Sequence, residues 1–218
     1  MNKHNHDFSM AFKANNATQE LRRYLLSETL LEDSTEYIPL AAVVELLATT
    51  TQTIKHRIKE GRLKEKTFFL LEPKRKAWHG VEAGGVKTLL MEKAQRREKI
   101  MQQVEWCAQH GQYTTYSQIM QEAGMDWNSP PDRKYVNQIL EEINHQSFNE
   151  TVDSATTCLK GCVVVSVNEG IPTASFYDCA IELGLAEPAD LRDMLQKREF
   201  WQEQFDLTKE LYGHGKQS

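Results

Sequence analysis

The segment from Val43 to Leu63 constrains this chain more than any other stretch of it. Val43, Leu46 and Leu47 recur at helical spacing, a short turn of small residues follows, and Ile54 and Ile58 repeat four residues apart. That pattern calls for two short amphipathic helices whose apolar sides share one interior. Thr50 is placed to cap the second helix, its hydroxyl accepting a bond from an otherwise unpaired N–H. Gly61 is placed to end it, because glycine adopts the left-handed backbone without a steric penalty. The faces that Ile54 and Ile58 leave free hold Thr51, Gln52, Thr53, Lys55, His56, Arg57 and Lys59. Such hydrogen-bonding and cationic groups on a short exposed helix are what a reader of the DNA major groove needs. Two core helices with a solvated outer face are the plain alternative.

The formal net charge of −5 argues against nucleic acid until its distribution is considered. From Lys55 to Lys76 nine Lys/Arg stand against three Glu, a local balance of +6, and the rest of the chain carries −11. Screening over about 8–10 Å lets a patch of that kind decide a contact by itself. With 40% hydrophobic and 26% charged residues the chain has the balance of a soluble globular protein. No run approaches the roughly 20 apolar residues of a membrane span, so no membrane partner is expected. The start, Met1 to Asp7, has no apolar run of leader type, and the expected location is cytoplasmic and nucleoid-associated. Cys107, Cys158, Cys162 and Cys179 are then expected to stay reduced.

Glu45-Leu46-Leu47, Gln52-Thr53-Ile54, Ile58 and Glu60-Gly61-Arg62-Leu63 follow one another without a gap. Over residues 37–72 this resembles the winged helix-turn-helix of MerR and excisionase-like DNA-binding proteins. Ala48-Thr49 departs from the glycine and aliphatic residue usual at their turn. The resemblance implies a β-hairpin wing from Arg62 to Glu72, with Lys64, Lys66 and Lys74 to Lys76 against phosphates. Thr51, Gln52, Lys55 and Arg57 would read bases, while Thr53, Arg62, Lys64 and Lys66 would hold the backbone. It also implies double-stranded DNA as partner and a dimer helix after the wing, for which Val86 to Gln109 is the candidate; a homodimer or two DNA-binding modules per chain is expected, and no cofactor.

The expected architecture is mainly α. An N-terminal arm and helix (1–36, the helix over Ala17 to Glu32) precede the winged helix-turn-helix (37–79). A hinge, Gly80 to Gly85, opens a connecting segment (80–111) whose helix runs from Val86 to Gln109 with Leu89, Leu90, Ala94, Met101, Val104 and Cys107 on one stripe. A second helical module (112–185) is expected to hold helices over Thr115–Ala123, Asp132–Gln146 and Thr173–Leu183, and a strand over Cys162–Val167. A long helix from Pro188 to Tyr212 ends the chain (186–218); its face of Leu191, Met194, Leu195, Trp201, Phe205 and Leu211 could pack on the second module or form a dimer interface.

Tyr113 to Ile119, Lys134 to Leu140 and the cysteine-bearing segment after them are similar in layout to the C-terminal domain of O6-alkylguanine alkyltransferases. That resemblance, over 112–185, implies a second winged-helix-like fold and a second DNA contact through Arg133, Lys134, Asn137 and Gln138. The family's active-site motif is missing: Cys158 is followed by Leu-Lys and Cys162 by Val-Val, with no proline before or histidine after either. No catalytic residues are expected, and no nucleotide-binding or nucleophile-elbow motif occurs. No metal is expected, since Cys158 and Cys162 have no second Cys/His pair at zinc-site spacing. His4 and His6 lie in the arm, and Glu141-Glu142 is read as a solvated pair with no base nearby. The functional expectation is a site-specific DNA-binding protein, a transcriptional regulator or mobile-element accessory factor. A protein-interaction adaptor and a DNA repair or modification protein related to the alkyltransferases are the alternatives.

Overall fold

The computed structural model describes residues 16–31, 34, 36–70, 76–152 and 156–213. It is mainly helical, at 64% helix, and divides into two compact units, Met1–Ala94 and Gln95–Ser218. Among the described residues no helix is long and apolar enough to cross a membrane.

The first unit contains α1 (Asn16–Leu25), β1 (Tyr37–Pro39), α2 (Leu40–Leu46), α3 (Thr51–Lys59), β2 (Glu65–Leu70), β3 (Lys76–Glu82) and the start of α4 (Ala83–His110). Its antiparallel sheet has the order β1-β3-β2, with Ile38 opposite Val81 and Phe68 opposite Trp78. Ile38, Val43, Leu46, Leu47, Ile54, Leu63, Val81 and Val86 are buried together, so both expected helix faces do turn inward. The alternation of the sheet puts Tyr37, Lys66, Phe68, Trp78 and Gly80 on the side away from Val81.

The first helix stops at Leu25, short of the expected Glu32, which lies outside the described residues. The carbonyls of Ser27 and Leu30 are turned onto the ammonium of Lys87 (2.9 and 2.6 Å) and do not extend the helix. Gly80 to Gly85, expected as a hinge, lies within regular elements. Gly80 to Glu82 ends β3, and Ala83 to Gly85 begins α4. A Cβ at Gly80 would meet Phe68, Trp78 and Tyr37 at 2.9 to 3.0 Å, so glycine is there for close packing. The hairpin therefore returns through Glu82, beyond the expected end at Glu72. Glu72, Lys74 and Arg75 lie outside the described residues.

The second unit contains the rest of α4, then β4 (Thr114–Thr115), α5 (Tyr116–Glu122), α6 (Pro130–Thr151), a 3-10 turn (Lys160–Val163), β5 (Val164–Val165), α7 (Ala174–Glu182), a 3-10 turn (Pro188–Leu191) and α8 (Met194–Tyr212). Its core joins Ile100, Val104, Ile119, Met120, Val136, Ile139, Leu159, Val163, Ile171, Phe176 and Phe205. Of the α4 stripe, Leu89 and Leu90 enter the first core and Val104 and Cys107 the second, while Met101 packs against it and Ala94 is exposed.

Two expectations fail here for identifiable reasons. The strand expected over Cys162–Val167 shrinks to Val164–Val165, paired in parallel with Thr114–Thr115. The chain before it is held by side chains. Thr151 accepts from the N–H of Cys158 (3.2 Å), Gln204 from Leu159 (2.9 Å), Ser147 from Lys160 (3.0 Å) and Asn144 from Gly161 (2.7 Å). The expected strand itself loses Cys162 and Val163 to the 3-10 turn, where the Cys162 N–H bonds the Leu159 carbonyl (3.0 Å), and ends where the Ser166 N–H turns to the Ile171 carbonyl (2.8 Å). The helix expected from Pro188 is interrupted, because the Asp193 carboxylate caps the N–H groups of Leu195 and Gln196 and restarts the helix at Met194. On α8, Phe205 is buried and Trp201 donates to the Cys162 carbonyl (2.9 Å), so that face packs on its own module. Met194, Leu195 and Leu211 remain exposed.

Candidate nucleic-acid interface

The second helix of the pair is built as its sequence demands. Thr50 Oγ1 accepts from the N–H of Thr53 (3.1 Å) and fixes the start of α3. At its end Gly61 takes φ +73°, so that its N–H reaches the Ile58 carbonyl (3.0 Å) and the next N–H reaches the Arg57 carbonyl (2.9 Å). This double closure satisfies carbonyls that a helix end leaves unpaired. Ile54 is fully buried and Ile58 half-buried. On the other side Thr51, Gln52, Lys55, His56 and Lys59 are exposed, with Thr53 and Arg57 half-buried. Nine residues make a helix about 13 Å long, and a helix's diameter of about 10–12 Å matches the roughly 12 Å width of a major groove.

The cations of this face differ in their ties. Among the described residues no ion pair engages Lys55 or Lys59, while His56 lies 3.1 Å from Glu60 one turn on. Arg62 pairs with Glu92 of α4 (2.9 Å) and Lys64 with Glu82 of β3 (3.3 Å). Lys66 stands over the rings of Phe68 (5.4 Å) and Tyr37 (5.8 Å), at cation–π distance. Phe68 in turn stacks on Trp78, with centroids 4.4 Å apart. Glu82, Glu92 and this aromatic cluster are additions to the residues expected from the sequence. The alternation of Lys66 and Phe68 in β2 is a visible signal for the cluster, but only the pairing with β3 brings Trp78 into it.

In the second unit Lys134 and Gln138 are exposed on α6 and Arg133 and Asn137 are half-buried at the edge of its buried face, which carries Val136, Ile139 and Leu140. Arg133 is steadied by the Trp127 carbonyl (2.8 Å) and lies 5.9 Å from that ring. Arg133 and Asn137 line an open cleft of roughly 140 Å³ with Tyr116, Met120, Trp127 and Thr173. Tyr116 belongs to the Tyr113–Ile119 motif, whereas Trp127 carries no sequence signal. All four thiols are buried. Burial pushes Cys107 up to about 11, and Cys162 and Cys179 up to about 12; Cys158 is raised by the same cause.

Compared with protein-family models, curated proteins and solved structures, the chain gives no match to any of the three.

Proposed function

We propose that this chain is a site-specific, non-enzymatic double-stranded DNA-binding protein of the cytoplasm and nucleoid, a transcriptional regulator or mobile-element accessory factor. On this reading α2 and α3 are a helix-turn-helix of the MerR and excisionase-like kind, and β2–β3 is its wing. The observation that carries it is the exposed polar face of α3, where Thr51, Gln52, Lys55 and Lys59 stand out from a helix anchored by Ile54. Arg62 and Lys64 would exchange carboxylate partners for phosphates at little cost, since exposed ion pairs contribute about 0–1 kcal/mol. Arg133, Lys134, Asn137 and Gln138 of α6 supply a second contact. The thiols weigh against alkyl transfer, because a buried thiol raised to about 12 is protonated at neutral pH and is a poor nucleophile. A homodimer, the usual way to read two half-sites, would need another surface than the α4 stripe, most of which is covered within the chain.

Selection from random duplex DNA followed by binding isotherms at several salt concentrations tests this reading. We expect an enriched motif and a steep fall of affinity with salt. Replacing both Lys55 and Arg57 by Ala should remove the sequence preference, with far-UV circular dichroism unchanged. Equal affinity of the double variant and the parent for the enriched site would leave the adaptor reading in its place.

A further inference from the structure

Glu141 and His145 are four residues apart on α6, so both side chains rise from one face of that helix. Glu182, the last residue of α7, comes to meet them. One donor atom from each, two carboxylate oxygens and a ring nitrogen, lie within 4.8 Å of one another. Glu182 sits at a helix C-terminus, where the helix dipole disfavours an anion, and a second carboxylate faces it. Among the described residues neither Glu141 nor Glu182 forms an ion pair with a lysine or arginine, and Arg97 engages Glu142 instead (3.0 Å). After burial, Glu141 and Glu182 are the next two causes that push the adjacent Cys179 thiol up, so the negative field is felt beneath the surface.

We propose that Glu141, His145 and Glu182 bind a divalent transition-metal ion, zinc by donor type, and clip the end of α7 to α6. Zinc takes both imidazole nitrogen and carboxylate oxygen as ligands, so three protein donors with water at the fourth position would complete a tetrahedral site. Ligands at about 2.0–2.1 Å from a tetrahedral ion stand roughly 3.3 Å apart, so modest side-chain rotation closes the observed spacing. His145 is half-buried, while the exposed carboxylates leave an entry path for the ion. Sequence spacing alone reveals only the α6 pair, because the third ligand arrives from 37 positions further on, in α7.

Zinc titration of the full chain by calorimetry, paired with thermal unfolding, tests the site. One ion per chain should bind at micromolar concentration and raise the unfolding temperature. His145→Gln and, separately, Glu182→Gln should each weaken binding by about 100-fold or more, since even indirect partners of a metal matter 10- to 100-fold. Glu182 is exposed, so that variant keeps the fold and leaves the answer readable. A His4→Ala/His6→Ala variant should bind zinc as the parent does, and cobalt should give visible absorption bands that Glu182→Gln removes. No zinc binding, binding indifferent to both His145→Gln and Glu182→Gln, or binding lost with His4 and His6 would overturn the proposal.

Discussion

The two units place their polar residues in opposite ways. In the first, Thr51, Gln52, Lys55 and Lys59 point outward from α3, and the core beneath is apolar apart from Lys87, which holds two carbonyls of the chain after α1. In the second, Asn144, Ser147, Thr151, Gln204 and Thr208 are buried, and four of them accept from backbone N–H groups of Cys158 to Gly161. Lys160 is nearly buried as well, paired with Glu105 at 2.7 Å and 3.9 Å above the Tyr212 ring. Polar side chains in the first unit are turned toward solvent, where a partner can reach them. In the second they replace a missing sheet, holding an irregular segment in one conformation. Buried polar groups of this sort are costly to leave unpaired, so the second unit should be the more sensitive to small changes.

The largest expected effect follows from that contrast. A Cβ on Gly161 would overlap the Asn144 carboxamide that accepts its N–H. Gly161→Ala must therefore displace Asn144 and strand a buried donor, at a cost of about 3 kcal/mol from overpacking and the lost bond. Calorimetry or urea unfolding should register this loss in the second unit while the first keeps its stability. An unchanged transition would mean that the polar network is not what fixes the Cys158–Gly161 segment.

Alkaline pH should separate the units next. Every cysteine lies in the second unit. Burial holds the folded Cys162 and Cys179 thiols at about 12 and Cys107 at about 11, against a usual 9.0. Above pH 9 the unfolded thiols lose their protons while the folded ones keep them, so the unfolded state is favoured as pH rises. Stability contributed by these groups is fully present below pH 9 and is lost between 9 and about 12. Cys162 alone should remove roughly 1 kcal/mol per pH unit in that window. Urea unfolding from pH 8 to 11 checks this, with Cys162→Ala expected to flatten the dependence. A second-unit transition insensitive to pH over that range would contradict the burial of the thiols.

How much of this was legible in the sequence depended on whether an element is set by its own neighbours. The Thr50 cap, the Gly61 stop and the inward faces of α2 and α3 are local, and each stands where residue type and spacing put it. The bounds of α4 and α7 were legible within a few residues for the same reason. Gly80 misled, because a glycine needed for aromatic packing looks in sequence like one needed for a hinge. The β-branched run after Cys162 suggested more sheet than forms, since its start closes a 3-10 turn on Leu159 and the Ser166 N–H turns to the Ile171 carbonyl. Glu141-Glu142 looked solvated with no base nearby, yet His145 stands beside Glu141 and Arg97 reaches Glu142 from α4. The exposed polar face of α3 was readable from the spacing of Ile54 and Ile58, but not the ties of Arg62 to Glu92 and Lys64 to Glu82, which depend on tertiary placement.

The smallest effect concerns the turn between α2 and α3, where Ala48-Thr49 stands in place of the glycine and aliphatic residue of the expected pattern. Ala48 takes φ +45°, the one described non-glycine residue in the left-handed region. It closes α2 as Gly61 closes α3: its N–H bonds the Glu45 carbonyl (3.0 Å) and the next N–H bonds the Val44 carbonyl (3.0 Å). An alanine there bears a steric strain of roughly 1–2 kcal/mol that glycine avoids, while glycine adds about 0.5–1 kcal/mol of unfolded-state entropy. Ala48→Gly should therefore stabilise the first unit by about 0.5–1 kcal/mol, and Gly61→Ala, at φ +73° with open space around it, should destabilise it by a similar amount. Thermal unfolding of the two variants and their combination measures both, and the effects should nearly cancel when combined. The second unit has no stake in either position. A shift in its transition would mean that the two units do not unfold independently, and a destabilising Ala48→Gly would mean that the turn is not held in the left-handed form.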